Sequence, residues 1–184
     1  HGDAVCDHAL VGNGQWSEDG MRTPGDKCLA RHVETGRGEQ NALSWDSAMT
    51  DKSVTHTYTE LRDRTAKLAG ALANLGVGKG DRVLIYMPMT PEAVFAMLAT
   101  VRLGAIHSVV FGGFAAASLA ARIDDARPLV IVTSDAGMRM GKMTALKPLV
   151  DESLKLAQHP PKHVIVVDRG LDPKASLMAG RDID

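Results

Sequence analysis

The stretch from Val83 to Phe114, VLIYMPMTPEAVFAMLATVRLGAIHSVVFGGF, limits what this chain can fold into more than any other. Two short apolar runs, Val83 to Met87 and Ile106 to Phe111, flank a segment that Thr90-Pro91 opens and Gly104 closes. The runs are too short for helices and rich in β-branched residues, whereas the segment between them has helical length with start and stop signals. This is a βαβ unit. Strands that read as unbroken apolar runs are covered on both faces, and parallel strands joined by helices are the arrangement that covers them. Further runs begin near Leu129 and at Val164, each after another helical interval, and no residue pattern recurs between them as a solenoid would require. The expected fold class is α/β, a mainly parallel sheet with helices on both faces.

The flanking sequence is less regular. Residues 1–56 read as an irregular lead-in, holding a short helix from Lys27 to about Glu34 capped by Asp26, a possible edge strand at Ala42 to Trp45, and a polar loop from Asp46 to His56. Thr57-Tyr58-Thr59-Glu60 then has the T-x-x-E form of a capping box, Leu61, Leu68, Leu72 and Leu75 fall on one helix face, and Gly76 ends that helix. Residues 57–184 form the parallel βαβ portion, read as incomplete. Within it, Ser134 to Ala145 is a long polar connection before a helix from Leu146 to Ala157. Asp168 to Asp184 is polar without a further element, which leaves the sheet edge after Val167 open to a partner.

Composition narrows the function classes. The 21 basic residues nearly balance 22 acidic ones and are scattered, and aromatic residues are few, so neither a nucleic-acid surface nor a membrane surface is indicated. Two cysteines outside any CxxC pair, with no apolar segment of membrane length, fit a reducing cytoplasm or, alternatively, a mitochondrial matrix.

In an open parallel sheet, ligands bind outside the carboxyl ends of the strands, which directs attention to Pro88-Met89-Thr90, Gly112-Gly113 and Ser134 to Lys142. Gly112-Gly113 leaves a strand and enters a helix near Ala115, where backbone amides and the helix dipole suit an anion; the plainer alternative is a tight turn needing glycine. Arg139-Met140-Gly141-Lys142 lies in the next carboxyl-end loop and brings two cations toward those amides, the alternative being solvated loop charges. Other candidates carry less. The GVGKG run at Gly76 to Gly80 precedes a strand, contrary to a phosphate loop. His159 and His163 are separated by Pro160-Pro161 and lack further ligands, Asp124-Asp125 suits a solvated helix face, and Ser108 and Ser134 lack partners for a nucleophile.

The segment VLIYMPMTPEAVFAMLATVRLGAIHSVVFGGFAAASLAARIDDARP resembles the short-chain acyl-CoA synthetases of the adenylate-forming superfamily, AMP-forming acid-thiol ligases. CLARHVETGRGEQNALSW, SDAGMRMGK, LAQHPPKHVIVVDRGL and AGRDID extend the likeness over nearly the whole chain and resemble propionate-CoA ligase more than acetyl-CoA synthetase. The resemblance implies activation of a short-chain carboxylate with ATP and Mg2+ as an acyl-adenylate, then transfer of the acyl group to CoA. By the same resemblance Phe111, Gly112 and Gly113 line the CoA nucleotide site. Arg139 and Lys142, with Met140 and Gly141 between them, match the cationic pair that faces CoA phosphate. Met140 stands where the family usually carries a small residue, often Gly. The family's phosphate loop, acyl pocket, ribose-binding Asp and catalytic Lys have no counterpart here. The chain therefore reads as an amino-terminal fragment with no catalytic residue and no metal ligand of its own, inactive without the remainder of the ligase. A free-standing CoA- or nucleotide-binding module and a pure interaction protein are the alternatives.

Overall fold

The computed structural model describes residues 25–184, the side chain of Asp26 excepted, and two backbone strands of the lead-in, β1 (Val5–Asp7) and β2 (Gln15–Ser17), paired antiparallel. The rest of the expected lead-in, 1–4, 8–14 and 18–24, lies outside the described residues. Two π-helical turns follow, Asp26–Ala30 and Val33–Arg37, then the strands β3 (Asn41–Ser47) and β4 (Lys52–Thr57) and the helix α1 (Tyr58–Asn74). The remaining elements are β5 (Arg82–Met87), α2 (Pro91–Arg102), β6 (Ile106–Phe111), α3 (Ala116–Ala126), β7 (Val130–Ser134), β8 (Ala136–Arg139), β9 (Lys142–Ala145), α4 (Lys147–Leu156), β10 (His163–Val167) and β11 (Asp182–Ile183).

Helix α1 starts as its sequence dictates. Thr57 Oγ1 accepts from the Glu60 amide at 3.2 Å and the Glu60 carboxylate accepts from the Thr57 amide at 3.0 Å, a complete capping box. At the other end the Gly76 amide donates to the Ala73 carbonyl and the Val77 amide to the Leu72 carbonyl, satisfying groups the helix leaves free.

The main sheet has the order β11-β10-β7-β5-β6, and all its pairings are parallel. Alternation divides the side chains between two layers. Val83, Ile85, Met87, Val130 and Val132 pack against Ala69 and Leu72 of α1 and Ala93, Ala96 and Ala99 of α2. Leu84, Tyr86, Ile131, Val164 and Val166 pack against Leu119 and Ile123 of α3 and Val150 and Leu154 of α4. β5 lies between β7 and β6, and each enclosed Val, Leu or Ile on it contributes about 1.5–3 kcal/mol. The α/β class and the helix-covered parallel sheet are therefore as the sequence indicated.

Four details correct the sequence reading. Residues 52–56, expected within a polar loop, form β4 together with Thr57 and pair antiparallel with β3 in a separate hairpin, so Ala42 to Trp45 edges no part of the main sheet. Asp26 lies inside the first helical turn, since helix begins at Gly25. Ser134 to Ala145 contains the antiparallel hairpin β8–β9. The edge beyond Val167 is also closed, because β11 pairs with Val164 and Ile165 of β10. A cluster of charges pins it there. Lys147, almost fully buried, meets Asp182 at 2.8 Å and Asp151 at 2.7 Å, and Arg181 grips both carboxylates. Burial alone would raise the Asp182 carboxyl, but hydrogen bonds from Arg181, Lys147 and the Met178 amide outweigh it and hold the group at about 2.

Candidate functional site

The carboxyl ends of β5, β6 and β7 lie along one edge of the sheet, as parallel strands require. Phe111 closes β6 and the chain turns sharply at Gly112 and Gly113 before α3. A Cβ on Gly112 would lie 3.1 Å from the Met87 carbonyl carbon and 3.2 Å from the Pro88 nitrogen, so a side chain there would have to push backbone aside by a few tenths of an ångström. A Cβ on Gly113 would meet movable atoms instead, the Phe111 ring at 2.7 Å and the Arg139 guanidinium at 3.1 Å. Tyr86 braces the far side, donating from its hydroxyl to the Phe114 carbonyl at 2.8 Å.

The hairpin β8–β9 forms the opposite wall. Met140 and Gly141 are its two turn residues, with φ of 48° and 72°, the positive values that two-residue hairpin loops demand. Gly141 adopts this freely, whereas Met140 does so at a cost. Register sets Arg139 directly opposite Lys142, both exposed, and no carboxylate pairs with either among the described residues. Like charges facing each other across a hairpin are destabilising, and an anion placed between them would relieve the repulsion. The Arg139 guanidinium stacks over the Phe111 ring, 5.4 Å from its centroid, which brings the hairpin tip to the Gly113 turn.

The two loops singled out from sequence are thus brought together. One expectation changes: the Gly113 amide donates to the Phe111 carbonyl at 2.8 Å, because the turn closes on itself, so this amide is not bare for an anion. The glycines give room and the cations give charge. A cavity of about 380 Å³ opens between the walls, with Trp45, Met89, Phe111, Gly112 and Arg139 in its lining.

Three positioning residues escaped the sequence reading. Asp135 is almost wholly buried at the base of the hairpin, where its carbonyl accepts from the Leu146 and Lys147 amides and its carboxylate from the Ala136, Leu171 and Asp172 amides. Arg169 donates to the Ala136 carbonyl at 3.0 Å. Trp45 donates its indole N–H to the Met89 carbonyl at 2.8 Å, fastening the β3–β4 hairpin over the cavity. An Asp at the end of a buried strand, and a Trp whose N–H needs a partner, were the available signals. The other candidates go to structural uses. Ser134 donates to the Ala136 carbonyl, and Asp124 accepts from the His159 amide at 2.8 Å. Backbone hydrogen bonds from Gln158 and His159 lower the Asp124 carboxyl. No three metal-ligating side chains converge among the described residues.

The family model of AMP-binding enzymes matches residues 30–182. The chain belongs to the AMP-binding enzyme family. It is 46% identical to the propionate–CoA ligase of Escherichia coli over 98% of this chain and 28% of that protein. Its identity to the mitochondrial acyl-CoA synthetase short-chain family member 3 of Rattus norvegicus is 44%, over 92% of this chain and 25% of the relative. Among solved structures, acetoacetyl-CoA synthetase from Streptomyces lividans superposes with a TM-score of 0.78 at 29% identity, covering 94% of this chain and 26% of that one. The chain therefore spans about a quarter of the length of the curated relatives it matches. No helix among the described residues is long and apolar enough to cross a membrane.

Proposed function

We propose that this chain is part of the amino-terminal domain of an AMP-forming short-chain acyl-CoA ligase acting on propionate or acetate, and that its hairpin tip holds a phosphate of CoA. The observation that carries the proposal is the cation pair Arg139 and Lys142, side by side without carboxylate partners among the described residues and with Arg139 leaning through Phe111 on the Gly113 turn. A guanidinium grips a phosphate with two parallel bonds, while an ammonium adds a point charge. Phe111 offers a face for the nucleotide, Gly112 and Gly113 leave it room, and Met140 and Gly141 set the cations side by side. ATP, Mg2+ and the carboxylate are the other substrates and cofactor of such a ligase, held by the rest of it. The compartment is the cytoplasm or, alternatively, the mitochondrial matrix, the rat relative's name being that of a mitochondrial protein.

A chimera in which this chain replaces the matched segment of the Escherichia coli ligase tests the reading. It should form propionyl-CoA, and Arg139→Ala should raise KM for CoA by about tenfold or more, as loss of a charge-assisted hydrogen bond implies. Propionate-dependent exchange of pyrophosphate into ATP should stay within about twofold, because that half-reaction precedes CoA. The chain alone should release no pyrophosphate, lacking the preorganised groups that stabilise the developing charge. Turnover by the chain alone, or an Arg139→Ala chimera impaired in adenylation with unchanged KM for CoA, overturns the proposal.

A further inference from the structure

Helices α1 and α2 both begin immediately after a threonine, and the two threonines behave differently. At α1, Thr57 Oγ1 accepts from the Glu60 amide at 3.2 Å. At α2, Thr90 holds the same position, yet its side chain caps nothing, and the Ala93 amide turns to the Thr90 carbonyl at 3.1 Å instead. Thr90 is 3% exposed, and its hydroxyl oxygen is without a hydrogen-bond partner. Thr50, in the turn between β3 and β4, carries a second buried hydroxyl oxygen in the same condition. Buried polar groups are nearly always paired, and nothing among the described residues pairs with these two.

Both threonines line one cavity of about 340 Å³, bounded by the β3–β4 hairpin, the start of α2 and the segment that follows β10. It shares Trp45, Thr90 and Arg169 with the cavity beside the hairpin tip. Three cations line it, Lys52, Arg64 and Arg169, against two carboxylates, Glu92 and Asp168, so with His56 counted as neutral the wall is one negative charge short. Neither Lys52 nor Arg64 meets a carboxylate among the described residues; Arg64 lies over the Phe95 ring, 5.8 Å from its centroid, and Arg169 is engaged with the Ala136 carbonyl. The Asp168 carboxylate is drawn into its own turn, accepting from the Gly170 amide at 2.7 Å. Val54, Val167 and Leu171 give the same cavity an apolar side.

We propose that this cavity binds a small organic carboxylate, its oxygens held by the Thr50 and Thr90 hydroxyls and the Lys52 and Arg64 charges, and its carbon chain set against Val54, Val167 and Leu171. Each part of the lining then has a use. The two hydroxyls gain the partner they lack, and hydrogen bonds to an ionised group are the stronger kind. The start of α2 adds the favourable end of its dipole, and the apolar side takes the chain out of water. A single missing charge matches a carboxylate, whereas a phosphate group brings about 1.5–2 negative charges at neutral pH and overshoots it. The proposal is independent of the ligase reading and of the CoA phosphate assigned to the hairpin tip, since neither Arg139 nor Lys142 lines this cavity.

The experiment titrates sodium propionate into this chain and follows amide shifts by NMR, with sodium chloride and inorganic phosphate as parallel titrations at matched ionic strength. Propionate should shift Thr50, Arg64, Thr90 and Glu92 and saturate in about the millimolar range, as befits so small a ligand. Arg64→Met and Lys52→Met, both at exposed positions, should keep the fold and each weaken propionate by about fivefold or more. Thr90→Val keeps the shape and removes the unpaired hydroxyl, so it should raise Tm by about 2–4 °C while weakening propionate. That pairing of gained stability with lost binding is not what a purely structural threonine gives. Chloride shifts equal to those of propionate, phosphate bound more tightly than propionate, or parent-like affinity in Arg64→Met and Thr90→Val overturns the proposal.

Discussion

The two walls of the candidate site solve different problems. The turn at Gly112-Gly113 is limited by space, since strand ends, an aromatic ring and a guanidinium crowd the positions where side chains would start. The tip at Met140-Gly141 is limited by backbone conformation, with positive φ at both residues and nothing within 4 Å of a Cβ on Gly141. The first wall joins the carboxyl ends of β5 and β6 in the main sheet, whereas the second is a separate hairpin standing on Asp135. A site assembled this way has one side fixed by close backbone approach and one side that brings charge.

The largest effect should come from the fixed wall. Gly112→Ala must displace the backbone at Met87 and Pro88, and by analogy with overpacked cores should cost about 1–3 kcal/mol in urea unfolding. Gly113→Ala meets only the ends of movable side chains, so its stability should fall by less while Arg139 swings off Phe111. If the two alanines cost the same, the walls are not distinguished by space.

Smaller and opposite changes should mark the tip. Gly141→Ala should lose about 1 kcal/mol because alanine resists the left-handed region, whereas Met140→Gly should gain a few tenths up to about 1 kcal/mol as that strain is released, partly offset by the freer unfolded chain. Chemical denaturation of both variants measures this. A destabilised Met140→Gly would mean that packing of the methionine, 88% exposed, outweighs its backbone strain.

How much of this was legible in the sequence followed the same division. The parallel strands, the capping box at Thr57 and the crowded Gly112-Gly113 turn depend on short-range signals or on burial, and both leave clear residue patterns. β4 was missed because KSVTHT packs almost nothing, four of its six residues being exposed, so no apolar alternation marks it. The β8–β9 hairpin was missed because Met-Gly replaces the Asn-Gly that usually announces such a turn. β11 was invisible because two residues held by Lys147, Asp151 and Arg181 owe their place to distant charges rather than to local propensity. The convergence of Arg139 on Gly113 was legible from topology; the buried carboxylate of Asp135 that fixes the hairpin's base was not, because its amide partners at Leu171 and Asp172 lie far along the chain.

The most direct test of the account is a titration of CoA into the chain at low ionic strength, followed by amide shifts in NMR. Shifts are expected at Gly112, Gly113 and Arg139 through Lys142, with affinity no tighter than about millimolar because little of the ligand is buried, weakening as salt is added. Arg139→Ala should remove more of the binding than Lys142→Ala, since only the guanidinium can form two parallel bonds to phosphate. Shifts confined to other parts of the chain, or an Arg139→Ala variant that binds CoA as well as the parent, would contradict it.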